Sequence, residues 1–146
     1  MSDQRPRVLC VCVENGGKSQ MAAGLMRHRG GDTVQVPSAG TRPRTTLKEM
    51  SVASLAEIGV DLTGERPKPI RDDDVRAADL VVTLGREAQV EPVPGTRFEN
   101  WDTDEPSERG IDERGIDGLD RMRLVRDHID RRVQDLLTRL VPGSAS

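Results

Sequence analysis

Val8-Leu9-Cys10-Val11-Cys12-Val13-Glu14-Asn15-Gly16-Gly17-Lys18-Ser19 is the stretch that decides the fold of this chain. From Val8 to Cys12 the residues are apolar without alternation, the pattern of a parallel strand buried on both faces. Two glycines, a lysine and a hydroxyl follow, then the helix-favouring Gln20-Met21-Ala22-Ala23. Strand, loop and helix in that order gather backbone N–H groups around one concavity at a helix N-terminus, where the macrodipole adds about half a positive charge. A tetrahedral oxyanion fits such a place.

Two chemistries compete for this loop. Gly17-Lys18-Ser19 is the end of a Walker A signature, but the glycine required five positions earlier is Cys12. A cysteine where the loop leaves the strand has its sulfur aimed at the ring of amides, and the helix-end field with a hydrogen bond from Ser19 favours the thiolate. Cys12 is therefore read as a nucleophile, and Val13, Glu14, Asn15, Gly16, Gly17, Lys18 and Ser19 as the oxyanion-binding residues. Lys18 stands in a first helical turn, where a cation is unfavourable unless an anion offsets it. Asn15 suits a left-handed turn that shapes the loop. Ser19 is either a helix cap or a donor to the thiolate. Cys10, two residues deeper, reads as core filling.

The rest of the chain alternates. A helix is expected from Lys18 to Arg29, stopped by Gly30-Gly31. Val34-Gln35-Val36 reads as a short strand ending in Ser38-Ala39-Gly40-Thr41. Thr46-Leu47-Lys48-Glu49 has the form of a capping box, predicting a helix to Ile58 capped by Gly59. Asp72-Asp73-Asp74 opens a short helix and Leu80 to Leu84 is a third buried strand. Thr96 to Glu99 suits a short fourth strand, and Trp101 to Gly118 reads as a long polar loop of functional character. Leu119, Met122, Val125, Ile129, Val133, Leu136, Leu137 and Leu140 recur at steps of three and four, giving a final amphipathic helix ended by Pro142-Gly143. Strand alternating with helix implies one α/β domain over residues 1–146, a parallel sheet covered by helices on both faces, and a ligand site at the carboxyl ends of the strands.

Composition narrows the function. With 146 residues the chain has room for one core. Its 22 basic and 25 acidic residues give a net charge of −3 without a basic stripe, and the single Trp, single Phe and absent Tyr leave nothing to stack on bases, so no nucleic-acid partner is expected. Met1 to Arg7 lacks an apolar h-region and no stretch approaches the ~20 apolar residues of a membrane span, which points to a cytoplasmic protein with no membrane partner. The two cysteines stand at i and i+2 on a strand with a rise of about 3.3 Å per residue, which does not suit a mutual disulfide. No His/Cys/carboxylate grouping has metal-ligand spacing, and no bound cofactor is expected.

Cys12 to Ser19 with Gln20-Met21-Ala22 resembles the phosphate loop of the low-molecular-weight protein tyrosine phosphatases and of the arsenate reductases built on that fold. Their pattern is Cys, five residues, Arg, Ser, with an Asn third after the Cys, and relatives also carry Ser-Ala-Gly-Thr after the second strand. Lys18 departs from the pattern, and Asn-Gly-Gly-Lys-Ser-Gln-Met-Ala resembles a narrower group, the arsenate-mycothiol transferases. The resemblance implies a four-stranded parallel sheet of order 2-1-3-4. It also implies a mobile acid segment, Asp104-Glu105-Pro106, in which Glu105 is favoured over Asp104 to protonate the leaving oxygen. Thioredoxin-coupled arsenate reductases of this fold carry two further cysteines after the third strand, where this chain has Thr83 to Gln89 with none. The resemblance therefore implies arsenate as substrate, mycothiol as external thiol, and a mycoredoxin acting downstream on arseno-mycothiol. The alternative within the same chemistry is a phosphatase of phosphotyrosine or small phosphoesters. Beyond it stand a Walker-type nucleotide-binding protein and a non-catalytic oxyanion sensor. Chain position alone puts Arg42, Arg44, Arg66 and Lys68 beside the mouth of the site.

Overall fold

A computed structural model of the protein describes residues 5–101 and 118–140. Its four strands are β1 (Val8–Cys12), β2 (Ser38–Gly40), β3 (Leu80–Leu84) and β4 (Arg97–Trp101). They form one parallel sheet in the order β2-β1-β3-β4, the order implied by the resemblance. Each parallel connection needs a crossover: α1 (Lys18–Gly30) joins β1 to β2, α2 (Glu49–Ala56) and α3 (Asp72–Ala77) join β2 to β3, and residues 85–96 join β3 to β4 without a helix. After β4 comes α4 (Gly118–Leu140).

Residues alternate across each strand, so the sheet feeds two cores. On one side Val8, Cys10 and Cys12 pack with Leu80, Val82, Leu84 and Trp101 beneath α1, α2 and α4. On the other, Leu9, Val11, Ala39 and Val81 meet Val75 and Ala78 of the α3 region. β1 and β3 are buried along their whole length, which explains their unbroken apolar sequence. In α4 the predicted stripe is the buried face, with Val125, Ile129 and Val133 fully enclosed.

Three boundaries differ from expectation. Val34 to Val36 is not a strand: Gln35 makes only an isolated bridge to Arg7, and regular pairing begins at Ser38. Pro37 has no N–H to give to a ladder, so it contributes only its carbonyl, which accepts from Cys10 N at 3.0 Å. The capping box at Thr46 does not start a helix. Lys48 is the N-cap of α2, because its backbone is extended at φ −77° and ψ 126°, and its N–H donates to Gly16 O at 2.8 Å. The helix ends at Ala56, and the chain then turns through Gly59 at φ 83°. Trp101 does not open a loop but closes β4, fully buried, with its indole N–H donating to Glu99 Oε1 at 2.8 Å. The expected stop at Pro142-Gly143 lies outside the described residues. No described helix is long and apolar enough to cross a membrane.

Candidate active site

β1 is flanked by β2 on one side and β3 on the other, so its carboxyl end is the switch point where a ligand crevice forms. Cys12 is the last residue of that strand and is 8% exposed. The segment after β2 holds the following loop in shape. Its amides at Thr41, Arg42, Arg44 and Lys48 donate to the carbonyls of Cys12, Val13, Glu14 and Gly16 at 3.1, 2.7, 3.0 and 2.8 Å. In a planar trans peptide the carbonyl and the next N–H point in opposite directions. The N–H groups of Val13, Glu14, Asn15 and Gly17 are therefore turned away from that segment, and the one on Asn15 reaches Cys12 Sγ at 3.2 Å.

Asn15 makes the turn. Its φ of 50° is left-handed, a conformation that asparagine tolerates better than most residues. Gly40, the last residue of β2, lies against the turn so closely that a Cβ there would stand 2.7 Å from Val13 O and 2.9 Å from Asn15 Cβ. The glycine of Ser-Ala-Gly-Thr is thus required by the approach of two backbones. At the start of α1, Gly17 is the N-cap and gives no side-chain cap, leaving the first-turn amides for an anion. Ser19, inside the helix, is not the cap.

The hydrogen-bond polarity behind the sulfur can be read off. A backbone N–H only donates, so the bond from Lys68 N at 2.9 Å identifies Asn15 Oδ1 as its acceptor. Asn15 Nδ2 then donates to Ser19 Oγ at 2.8 Å. The Ser19 hydroxyl in turn lies 2.8 Å from Cys12 Sγ, where either group can donate. Gln20 Nε2 is within 3.2 Å of both Asn15 O and Oδ1 and 3.1 Å from Arg66 O, tying α1 to the same turn. Asn15, Ser19 and Gln20 are all fully buried, and hydrogen bonds stabilise a charge more strongly away from water. The sulfur thus accepts the Asn15 N–H and has the Ser19 hydroxyl within hydrogen-bond reach.

Cys12, Val13, Glu14, Gly17 and Lys18 line a cleft of about 220 Å³ together with Lys48, Leu84, Gly85 and Glu87. Asn15 and Ser19 stand behind it as supports. Cys10 lies two residues down the same face of β1, with no exposure, and burial pushes its thiol up to about 12. Glu105 and Asp104 lie outside the described residues. Among the described residues no group of His, Cys, Asp or Glu is arranged to hold a metal ion.

Of the cations placed beside the mouth by chain position, Arg44 lies across Gly16: a Cβ on that glycine would come 2.5 Å from Arg44 Cδ. Arg66 and Lys68 meet the loop through their main chain, from behind. The sequence reading missed Gln20, Lys48 and Glu87. Gln20 had a signal, an uncharged polar residue ahead of Met21-Ala22-Ala23-Gly24-Leu25-Met26. The other two are brought to the cleft by tertiary packing that leaves no local pattern.

Comparison with known proteins places this geometry. The family model described as low molecular weight phosphotyrosine protein phosphatase matches residues 7–143. The arsenate reductase of Bacillus subtilis is 33% identical over 129 residues, covering 86% of this chain and 90% of that one. The glutaredoxin arsenate reductase of a Synechocystis species is 27% identical over 137 residues, covering 92% and 98%. Among solved structures, the thioredoxin-dependent arsenate reductase of Corynebacterium glutamicum superposes with a TM-score of 0.79 at 31% identity, over 96% of this chain and 64% of that one. An arsenate reductase in the phosphate-binding state gives 0.76 at 26%, over 92% and 98%. With a cysteine-bearing loop at the end of β1 and a family match over residues 7–143, this chain belongs to the low molecular weight phosphotyrosine protein phosphatase family.

Proposed function

We propose that the protein is an arsenate reductase that transfers arsenate to the thiol of mycothiol. The observation that carries this reading is the contrast between its two thiols. Cys12 Sγ lines the cleft, with the Asn15 N–H donating to it at 3.2 Å and the Ser19 hydroxyl 2.8 Å away, whereas Cys10 is sealed in the core. The chain has two cysteines in all, so one reactive sulfur is left to work with a thiol from outside.

Arsenate binds to the amides of Val13 to Ser19 with Lys18 beside it. The Cys12 thiolate attacks arsenic, one arsenate oxygen takes up a proton from Glu105, or from Asp104 in its place, and leaves as water. The external thiolate then attacks arsenic, the bond to Cys12 breaks, and arseno-mycothiol departs with arsenic still pentavalent. A mycoredoxin carries out the reduction afterwards. The arsenate reductases among the relatives support the substrate, and the cysteine-free segment Gly85 to Gln89 supports an external thiol. The choice of mycothiol rests on Asn15-Gly16-Gly17-Lys18-Ser19-Gln20-Met21-Ala22.

The family supports a second reading, hydrolysis of a phosphomonoester by the same thiolate. Lys18 argues against it, since a lysine offers a point charge where an arginine would grip two equatorial oxygens with a rigid fork. Turnover assays pairing arsenate with mycothiol, glutathione or thioredoxin, with an aryl phosphate alongside, decide between them. Arsenate-dependent consumption of mycothiol is expected. Turnover with thioredoxin alone, or rapid hydrolysis of the aryl phosphate without it, would overturn the proposal.

A further inference from the structure

The Cys12 cleft continues beyond its own rim. Lys18 and Lys48 belong both to it and to a wider groove of about 800 Å³, which crosses the first turn of α2 and ends at Arg121 and Met122 of α4. The two glycines of the oxyanion loop make the junction. The Arg44 stem lies on Gly16, and a Cβ on Gly17 would come 3.3 Å from Lys48 Cδ. With hydrogens in place of side chains, both cationic stems lie against the loop; Lys48 lines cleft and groove alike, and Arg44 lines the groove. Lys48 Nζ is 3.3 Å from Glu14, a residue of the cleft wall.

We propose that this groove is the docking site of the external thiol, a low-molecular-weight thiol whose remainder is rich in hydrogen-bond acceptors. The inference rests on the functional reading above and extends it to the second reactant. Cys10 cannot reach the cleft, so a sulfur must enter from outside, and to displace Cys12 it must approach arsenic from the open side. Leu84, Gly85 and Glu87 line the cleft but not the groove, whereas Lys18 and Lys48 line both, so the cleft meets the groove on their side. The lining has complementary chemistry. Leu47, Met50 and Met122 supply an apolar floor, with Met50 47% exposed. Arg44, Lys48 and Arg121 supply donors with no acceptor capacity. A ligand with C–H surface and many oxygens fits both. In the transfer the thiolate forms a sulfur–arsenic bond as the Cys12–arsenic bond breaks, and the proton of the thiol passes to solvent.

The test uses steady-state kinetics of the full chain and of Arg121→Ala and Met50→Asp. Each variant should raise KM for mycothiol about tenfold, as expected for losing one charge-assisted hydrogen bond or one apolar contact, while KM for arsenate and kcat at saturating thiol stay within about twofold. 2-Mercaptoethanol, too small to span the groove, should respond to neither variant. A glutathione arm separates acceptor types, since dependence on Arg121 for glutathione but not mycothiol would show a carboxylate site and overturn docking of the neutral thiol. Binding of S-methyl mycothiol, which cannot react, is measured by calorimetry. Binding that weakens in Arg121→Ala upholds the site even if no thiol supports turnover, in which case the functional reading alone falls. Turnover with an unchanged mycothiol KM in both variants, or no binding of the S-methyl derivative to the unmodified protein, overturns the docking proposal.

Discussion

The backbone N–H of Lys68 donates to Asn15 Oδ1 at 2.9 Å, and this bond, 53 residues apart in sequence, sets which end of the Asn15 amide faces Ser19. Asn15→Asp keeps the turn residue and the Oδ1 acceptor but replaces the donor to Ser19 with a carboxylate oxygen. The Ser19 proton then has an anion to turn to in place of Cys12. Loss of a hydrogen bond to the Cys12 sulfur with a new negative charge nearby should cost on the order of 3 kcal/mol, or about a hundredfold in kcat. Alkylation of Cys12 by iodoacetamide at neutral pH should slow in step, a readout that needs no turnover.

The two thiols should separate cleanly in the same reaction. With burial holding Cys10 up to about 12, mass spectrometry of the folded protein at pH 8 should find one adduct, on Cys12. Cys12→Ser should abolish both labelling and arsenate turnover, and Cys10→Ser should leave turnover nearly intact. Equal loss in the two variants would refute the assignment.

Gly40→Ala should be far more damaging than Gly64→Ala. The first puts a methyl 2.7 Å from Val13 O and 2.9 Å from Asn15 Cβ, while the second meets nothing within 4 Å. Overpacking against backbone should cost about 1–3 kcal/mol and distort the loop, against at most about 0.5 kcal/mol at the open position. Urea midpoints and kcat give the two numbers.

An ion cluster joins α2 to α4. A hydrogen bond from the Arg123 guanidinium, opposed by desolvation and reinforced by Arg126, holds the Glu57 carboxyl down to about 2 from its ordinary 4.5. A carboxyl depressed on folding stabilises fully above its unfolded value and loses that contribution as pH falls towards the folded one. Glu57→Gln should therefore be less stable than the unaltered protein at pH 7, with a gap that narrows below about pH 4.5 and closes near pH 2. Urea titrations at three pH values check it. A gap that stays constant with pH would show that the ion cluster contributes nothing.

Lys18→Arg should restore the fork that phosphoryl transfer favours. Hydrolysis of an aryl phosphate should rise by about tenfold or more in kcat/KM. An unchanged rate would mean that the departure at this position is not what limits phosphate chemistry here.

How much of this could be read from sequence follows from what each feature depends on. β1, β3 and α4 declare themselves because burial imposes a period on their own residues. Cys12 and the loop were legible because strand, glycines, lysine and helix are contiguous. The start of α2 was not: the pattern Thr46 to Glu49 is a sound local signal, overruled by the extended backbone of Lys48, which lies against Gly16 only once the chain has folded back. The polarity of the Lys68, Asn15 and Ser19 network and the meeting of Lys48 with Gly17 belong to the same class. Pro37 is the intermediate case, since its missing N–H is written in the sequence but the neighbour it would have served is not.

The four carbonyls of the oxyanion loop are held by main-chain amides of Thr41, Arg42, Arg44 and Lys48, and a main-chain bond is indifferent to what its residue carries outward. Substitution along this strap can therefore alter the charge and reach of the entrance without rebuilding the seat beneath it. The scaffold thus separates the shape of the loop, fixed by backbone, from the character of its rim, left to side chains.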